Sequence, residues 1–179
     1  MPDSDAAAAP LSIEIRPGVN FPDWSAVGSD RVRSALHDIF QVFGVDKFWR
    51  DFSPTEDLCR RAILAGYRQR GQAPTLSQLC TETAMSAPEA RETLIGLRHR
   101  DLVLFDEATQ TIQGAYPLTE QKTEHWVQLN GNIVHAMCAI DALGVGRMYE
   151  CDVTIQSRCR ATGQAVRIVT ADCGRRLAS

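Results

Sequence analysis

The chain has 179 residues, 44% hydrophobic and 23% charged, with a formal net charge of −3. That composition suits one ordinary globular domain or two small ones, and it excludes a fibrous or disordered chain. The mild acidic balance gives no electrostatic footprint for general nucleic-acid or membrane-surface binding, and no apolar run is long enough to span a bilayer.

Residues 1–29 are rich in Ala, Pro, Gly, Asp and Ser and show no sustained period, so they read as a mostly flexible leader. Within it Ile13, Ile15, Phe21 and Trp24 are available for local packing. Met1–Pro10 has neither the basic start nor the apolar stretch of a secretory signal, so the expected address is cytoplasmic. There the six cysteines, Cys59, Cys80, Cys138, Cys151, Cys159 and Cys173, are expected as reduced thiols. None of them forms a Cys-x-x-Cys pair, which argues against a zinc ribbon or a thioredoxin-type motif.

From Asp30 the apolar residues Val32, Ala35, Leu36, Ile39, Phe40 and Phe43 recur at helical spacing, and Gly44 supplies a stop. A second helix opens at Ser53-Pro54 with Glu56 in a capping box and ends at Gly71, burying Leu58, Ala62, Ile63 and Cys59. Thr75 with Gln78, and Ser86 with Glu89, mark two further capping boxes and two short helices. Leu102–Phe105 and Thr111–Tyr116 follow as a strand–turn–strand. Two helices and a hairpin in this order predict a winged-helix-like domain over 30–118. Its second helix carries Arg91, Arg98, His99 and Arg100 but also Glu89 and Glu92, and opposed charges cancel much of any phosphate attraction. A structural or docking use is therefore favoured over DNA reading.

After Pro117, His125–Leu129 alternates like a strand and Asn130-Gly131 is a tight-turn signal. An apolar segment then runs through Cys138 to Leu143, with Gly144 and Gly146 expected to stop it. Tyr149–Ile155 and Ala165–Val169 read as strands around a Thr162-Gly163-Gln164 turn, with Cys151 on one face beside Val153 and Ile155. This C-terminal part, 119–179, looks short of strands.

If the apolar segment is helical, Cys138 and Asp141 project from one face about a turn apart. A carboxylate on an apolar stripe is costly unless paired, protonated or used, and a thiol beside it is a soft nucleophile and soft-metal ligand. The residues alone leave the plainer reading open, in which Cys138 is an inert core thiol and Asp141 a local cap or ion-pair partner. Cys59, Cys80 and Cys151 read as core residues, Cys173 as an exposed thiol without a task, and His37, His99, His125 and His135 show no ligand spacing.

The order of parts resembles the bacterial organomercurial (alkylmercury) lyases. The likeness runs from about Pro74 to Val169 and is strongest in Cys138-Ala-Ile-Asp141-Ala-Leu143 and in Cys159-x-Ala161-Thr162-Gly163. It implies cleavage of a carbon–mercury bond by protonation, giving a hydrocarbon and Hg(II). Carried over by motif, Cys138 is the mercury-binding thiolate and Asp141 the proton shuttle. Cys159 is a structural cysteine near the site, with Met137, Ile140 and Leu143 as pocket wall. The resemblance also implies no resident cofactor, a small organomercury substrate, external thiols, and mercuric reductase as acceptor of Hg(II), with no membrane partner and nucleic acid disfavoured. Two departures stand out. Met137 occupies a position where the family commonly has an aromatic. The family's second catalytic cysteine lies beyond the Ala-Thr-Gly hairpin, in sequence this chain does not reach, and Cys173 comes too early to match it. The expected class is α+β: an N-terminal helical winged-helix-like domain followed by a small, incomplete α/β catalytic domain. The alternatives are a non-catalytic thiol-based mercury-binding protein and a winged-helix DNA-binding regulator.

Overall fold

The computed structural model describes residues 12–178. The chain divides into two compact units, residues 1–57 and 58–179.

In the first unit, β1 (Ile13–Arg16) and β2 (Val19–Phe21) pair as an antiparallel hairpin. The part of the expected leader within the described residues is therefore ordered by backbone pairing, which a window this short does not reveal; residues 1–11 lie outside the described residues. Phe21 stacks on Phe40 and Trp49 at 5.9 and 5.3 Å between ring centroids, and Trp24 meets Phe40 at 6.0 Å. Helix α1 (Asp30–Phe43) is capped by Ser29, whose side chain accepts from Val32 N–H. Its amphipathic stripe is as read, but none of its residues is buried: Val32 and Ile39 are about half exposed and Phe43 more so. Arg16 pairs with the buried Asp57 at 3.0 Å.

Helix α2 (Pro54–Arg70) begins in the first unit and continues into the second. Ser53 and Glu56 cap it reciprocally at 2.9 and 3.1 Å. Its inward face in the second unit is Cys59, Ile63, Leu64 and Tyr67, whereas Leu58, expected inside, points outward. Helices α3 (Leu76–Thr83) and α4 (Ala87–His99) both start with complete capping boxes, Thr75/Gln78 and Ser86/Glu89. They bury Leu79, Ala90, Leu94 and Leu97, each such leucine contributing about 1.5–3 kcal/mol.

The remaining strands are β3 (Val103–Asp106), β4 (Thr111–Ala115), β5 (Leu118–Thr119), β6 (Trp126–Leu129) and β7 (Asn132–Ala136). After helix α5 (Ala139–Met148) come β8 (Thr154–Arg158), β9 (Ala165–Ala171) and β10 (Arg176–Leu177). All pair antiparallel in one eight-stranded sheet, ordered β10-β9-β8-β6-β7-β5-β4-β3. The fold is α+β. The C-terminal strands are not short of partners, because two-residue β5 bonds to β4 on one side and β7 on the other and so joins both sets. That link is too short to carry a periodic signal.

Helix α5 packs on β6, β7 and β8. It does not stop at Gly144 or Gly146 but runs to Met148. Gly146 is used for close approach: a Cβ there would meet the Cys151 carbonyl at 3.1 Å and Gly174 Cα at 3.2 Å. Tyr149, at the helix end, donates its hydroxyl to the Leu64 carbonyl at 2.7 Å.

Candidate active site

Cys138 is not inside a helix. It is the N-cap of α5, with extended backbone at φ −149° and ψ 176°, and its Sγ accepts from the Asp141 backbone N–H at 3.4 Å. Asp141 is the third helical residue, and its carboxylate lies near enough to raise the thiol. The sulfur thus caps the start of the helix, at a position where serine is usual. It brings Cys138 and Asp141 together more closely than a shared helix face requires. Cys138 is exposed as a residue, while Asp141 is only 7% exposed.

A third group completes the cluster. The β5–β7 register pairs Leu118 with Ala136, and Met137 N–H donates to the Pro117 carbonyl at 3.0 Å. Continuing that ladder sets Tyr116 opposite Cys138. Tyr116 is fixed by its own N–H donating to Leu102 O at 2.9 Å and by Arg60 Nη2 donating to its carbonyl at 2.9 Å. Its phenol lies near enough to the Asp141 carboxylate to be raised by it. Burial, then the charge and hydrogen bond of Asp141, then the charge of Cys138 push the phenol up to about 12, against a lowering by Arg60. Burial and the Asp141 carboxylate also raise the Cys138 thiol, outweighing the lowering by the backbone N–H groups of Asp141 and Ile140. Asp141 is thus a buried carboxylate that acts on both a phenol and a thiol. Sequence reading missed Tyr116, because only the strand register shows what lies across from Cys138.

Cys159 sits in the β8–β9 turn. Its N–H donates to Gln164 O, and its carbonyl accepts from Gly163 N–H, both at 2.8 Å. The Thr162 hydroxyl and the N–H groups of Thr162 and Ala161 converge on its sulfur and hold the thiol below its ordinary value. An open groove of about 410 Å³ runs beside it, lined on one side by Ala139 and Leu143 of α5 and on the other by Ile155, Cys159, Val166 and Ile168. His125 also lines it, with Nδ1 2.6 Å from Ser157 Oγ. Of the expected wall residues, Leu143 lines this groove; Ile140 is 78% exposed and, like Met137, lies outside the lining.

The other candidates are apart from this cluster. His135 Nδ1 lies 3.2 Å from both the N–H and the carbonyl of Thr123, an ordinary polar role. Cys59 is fully buried and Cys80 half-buried. Cys151 precedes β8 instead of sharing a strand face with Val153, and Cys173 is exposed. Among the described residues no group of three or more His, Cys, Asp or Glu is arranged to hold a metal ion, and no helix is long and apolar enough to cross a membrane.

Residues 118–178 match the family model described as alkylmercury lyase. A search of the curated proteins gives no match. Among solved structures, one described as the mercury-bound form of MerB2 is similar with a TM-score of 0.62 and 26% identity, over 75% of this chain. The chain spans 64% of that neighbour's length. The chain is alkylmercury-lyase-like in both sequence and fold.

Proposed function

We propose that this chain cleaves the carbon–mercury bond of small organomercury compounds by protonolysis, with Cys138 as the mercury-binding thiolate and Asp141 as the proton shuttle. The observation that carries this reading is the shared turn at the start of α5. There the buried Asp141 carboxylate lies beside the thiol of Cys138, which is exposed as a residue.

The chemistry follows from that pairing of thiol and carboxylate. Mercury is soft and prefers thiolate. When the mercury of R–Hg–X bonds to Cys138 Sγ, X leaves with its electron pair and the thiol proton passes to Asp141. The carboxylic acid so formed is held beside the bound organomercurial. An external thiolate adds to mercury, and electron density shifts onto the attached carbon. The carbon takes the Asp141 proton as the carbon–mercury bond breaks, giving R–H and restoring the carboxylate. A second external thiol then protonates Cys138 and lifts the metal off as a bis-thiolate. Tyr116 supports Asp141 throughout, and the neighbouring open groove, with Leu143 and Val166 in its lining, offers the organic group an apolar surface.

Incubation with phenylmercury or methylmercury and excess thiol is expected to release benzene or methane, measured in the headspace. A yield equal to the thiol background, unchanged by Cys138→Ala, would leave no lyase reading. Stoichiometric mercury uptake lost in Cys138→Ala without hydrocarbon release would mark a binding protein instead. The DNA-regulator reading is weakened by the pairing of Arg98 with Glu107, which removes a cation from any phosphate contact. The mercuric reductase expected as acceptor, and a cytoplasmic location, stay parts of this proposal.

A further inference from the structure

Two cysteines outside this site meet at the other end of α5. Cys151 follows the helix, its N–H donating to Gly146 O at 3.0 Å. Cys173 belongs to the turn between β9 and β10, 22 positions later. That turn is pinned to the same place. Gly174 N–H donates to Asp152 Oδ1 at 3.3 Å, and Arg175 N–H donates to Asp172 O at 3.2 Å. Gly174 lies so close to the helix that a Cβ on it would fall 2.3 Å from the Gly146 carbonyl carbon. Gly174 Cα and the Cys151 carbonyl oxygen both crowd the same point at Gly146, at 3.2 and 3.1 Å. The backbones carrying the two thiols therefore both pack against Gly146, and Cys173 lies near enough for its charge to act on the Cys151 thiol. Both thiols are free; Cys173 is exposed and Cys151 half-buried. Burial raises the Cys151 thiol, with Asp152 and Cys173 adding to the rise and the Arg68 guanidinium opposing it.

We propose that Cys151 and Cys173 form a second, dithiol site for a soft thiophilic cation such as Hg(II), separate from Cys138. The reasoning is chemical. A soft d¹⁰ cation is satisfied by two thiolates and does not need the three- or four-ligand cluster that is absent among the described residues. The close Gly146–Gly174 backbone approach brings the two segments together before metal arrives, so less ordering is left to be done on binding. Binding replaces two S–H protons by two S–Hg bonds and releases two protons. Helix α5 has ten residues and is about 15 Å long, with Cys138 at its start and this pair just past its end. The site thus stands apart from the thiol that would take the organomercurial, and it does not depend on carbon–mercury cleavage there.

The test uses the full chain carrying Cys138→Ala, titrated with mercuric chloride against a competing monothiol, with bound mercury measured after ultrafiltration. One Hg(II) per chain is expected, with affinity falling at least tenfold in both Cys151→Ser and Cys173→Ser and holding in Cys159→Ser. On the unsubstituted chain, phenylarsine oxide, which bridges only neighbouring thiols, is expected to link the Cys151 and Cys173 peptides in a mass spectrum. Full affinity in either serine variant overturns the site, and so does failure of the arsenical to bridge the pair.

Discussion

Cys138 and Cys159 are both held where backbone N–H groups converge on sulfur, yet their thiols move in opposite directions. At Cys159 the convergence comes from a tight turn and a hydroxyl, with no carboxylate, and the thiol is lowered. At Cys138 a helix N-terminus supplies the N–H groups, a setting that ordinarily lowers a thiol, and burial with Asp141 reverses it. The difference separates two jobs. Cys159 is the readier thiolate but has no proton store beside it. In the proposed mechanism Cys138 keeps its proton until a soft metal displaces it, and Asp141 receives that proton and returns it to carbon.

The sharpest way to break this contrast is to remove each sulfur in turn. Cys138→Ala is expected to reduce hydrocarbon release to the thiol background, while Cys159→Ser keeps most of it. A comparable loss in both variants, with both chains folded by circular dichroism, would mean that the two thiols act together. Asp141→Asn keeps the shape of the N-terminal turn but removes the proton carrier. It is expected to cost about 10²–10⁴-fold in turnover, the range of a positioned general acid, with mercury uptake retained.

Tyr116→Phe sharpens the same contrast at smaller amplitude. It removes one donor to a buried carboxylate, an interaction of about 1.5–3 kcal/mol, and so is expected to slow turnover about tenfold or more without changing mercury uptake. In the Asp141→Asn background the same change is expected to add little, because the phenol acts through the carboxylate. An additive loss in the double variant would count against that route.

Thiol reactivity against pH tests the direction of the two shifts directly. A lowered thiol becomes thiolate earlier as pH rises, and a raised one later. Iodoacetamide labelling followed by peptide mass spectrometry is therefore expected to modify Cys159 at lower pH than Cys138. Asp141→Asn removes a raising influence and should move the Cys138 profile to lower pH, leaving Cys159 where it was. Cys138 labelling first in the unsubstituted chain would contradict the electrostatic account of both sites.

What could be read from the sequence follows how local each signal is. The capping boxes at Ser53, Thr75 and Ser86 are set by four neighbouring residues, and all three form. Cys138-x-x-Asp141 has the same spacing, yet it was read as one helix face because cysteine is not an expected cap. Counting sulfur as an acceptor would have placed it at the helix start. Tyr116 was out of reach, since its position across from Cys138 depends on the β5–β7 register. The Cys151–Cys173 approach was equally hidden, because it rests on two glycines 28 positions apart meeting backbone to backbone. Leu58 and the outer face of α1 show the converse limit: helical spacing names a stripe but not what, if anything, covers it.

The mildest perturbation acts on the turn that lowers Cys159. Gly163 has φ +70°, and a Cβ there would meet nothing within 4 Å, so Gly163→Ala is opposed by backbone conformation alone. That cost is about 1–2 kcal/mol, enough to lower the melting temperature by several degrees in a chain of this size. If the turn yields instead of bearing the strain, the N–H groups of Ala161 and Thr162 drift from the sulfur and the Cys159 labelling profile moves to higher pH. Cys138, capped by its own helix, keeps its profile. A Cys159 profile unmoved in a destabilised protein would assign the lowering to the Thr162 hydroxyl, which Thr162→Val then removes. Both thiols respond in these tests to groups within three residues of the sulfur, and what sets them apart is the burial of Cys138 together with the carboxylate at position 141.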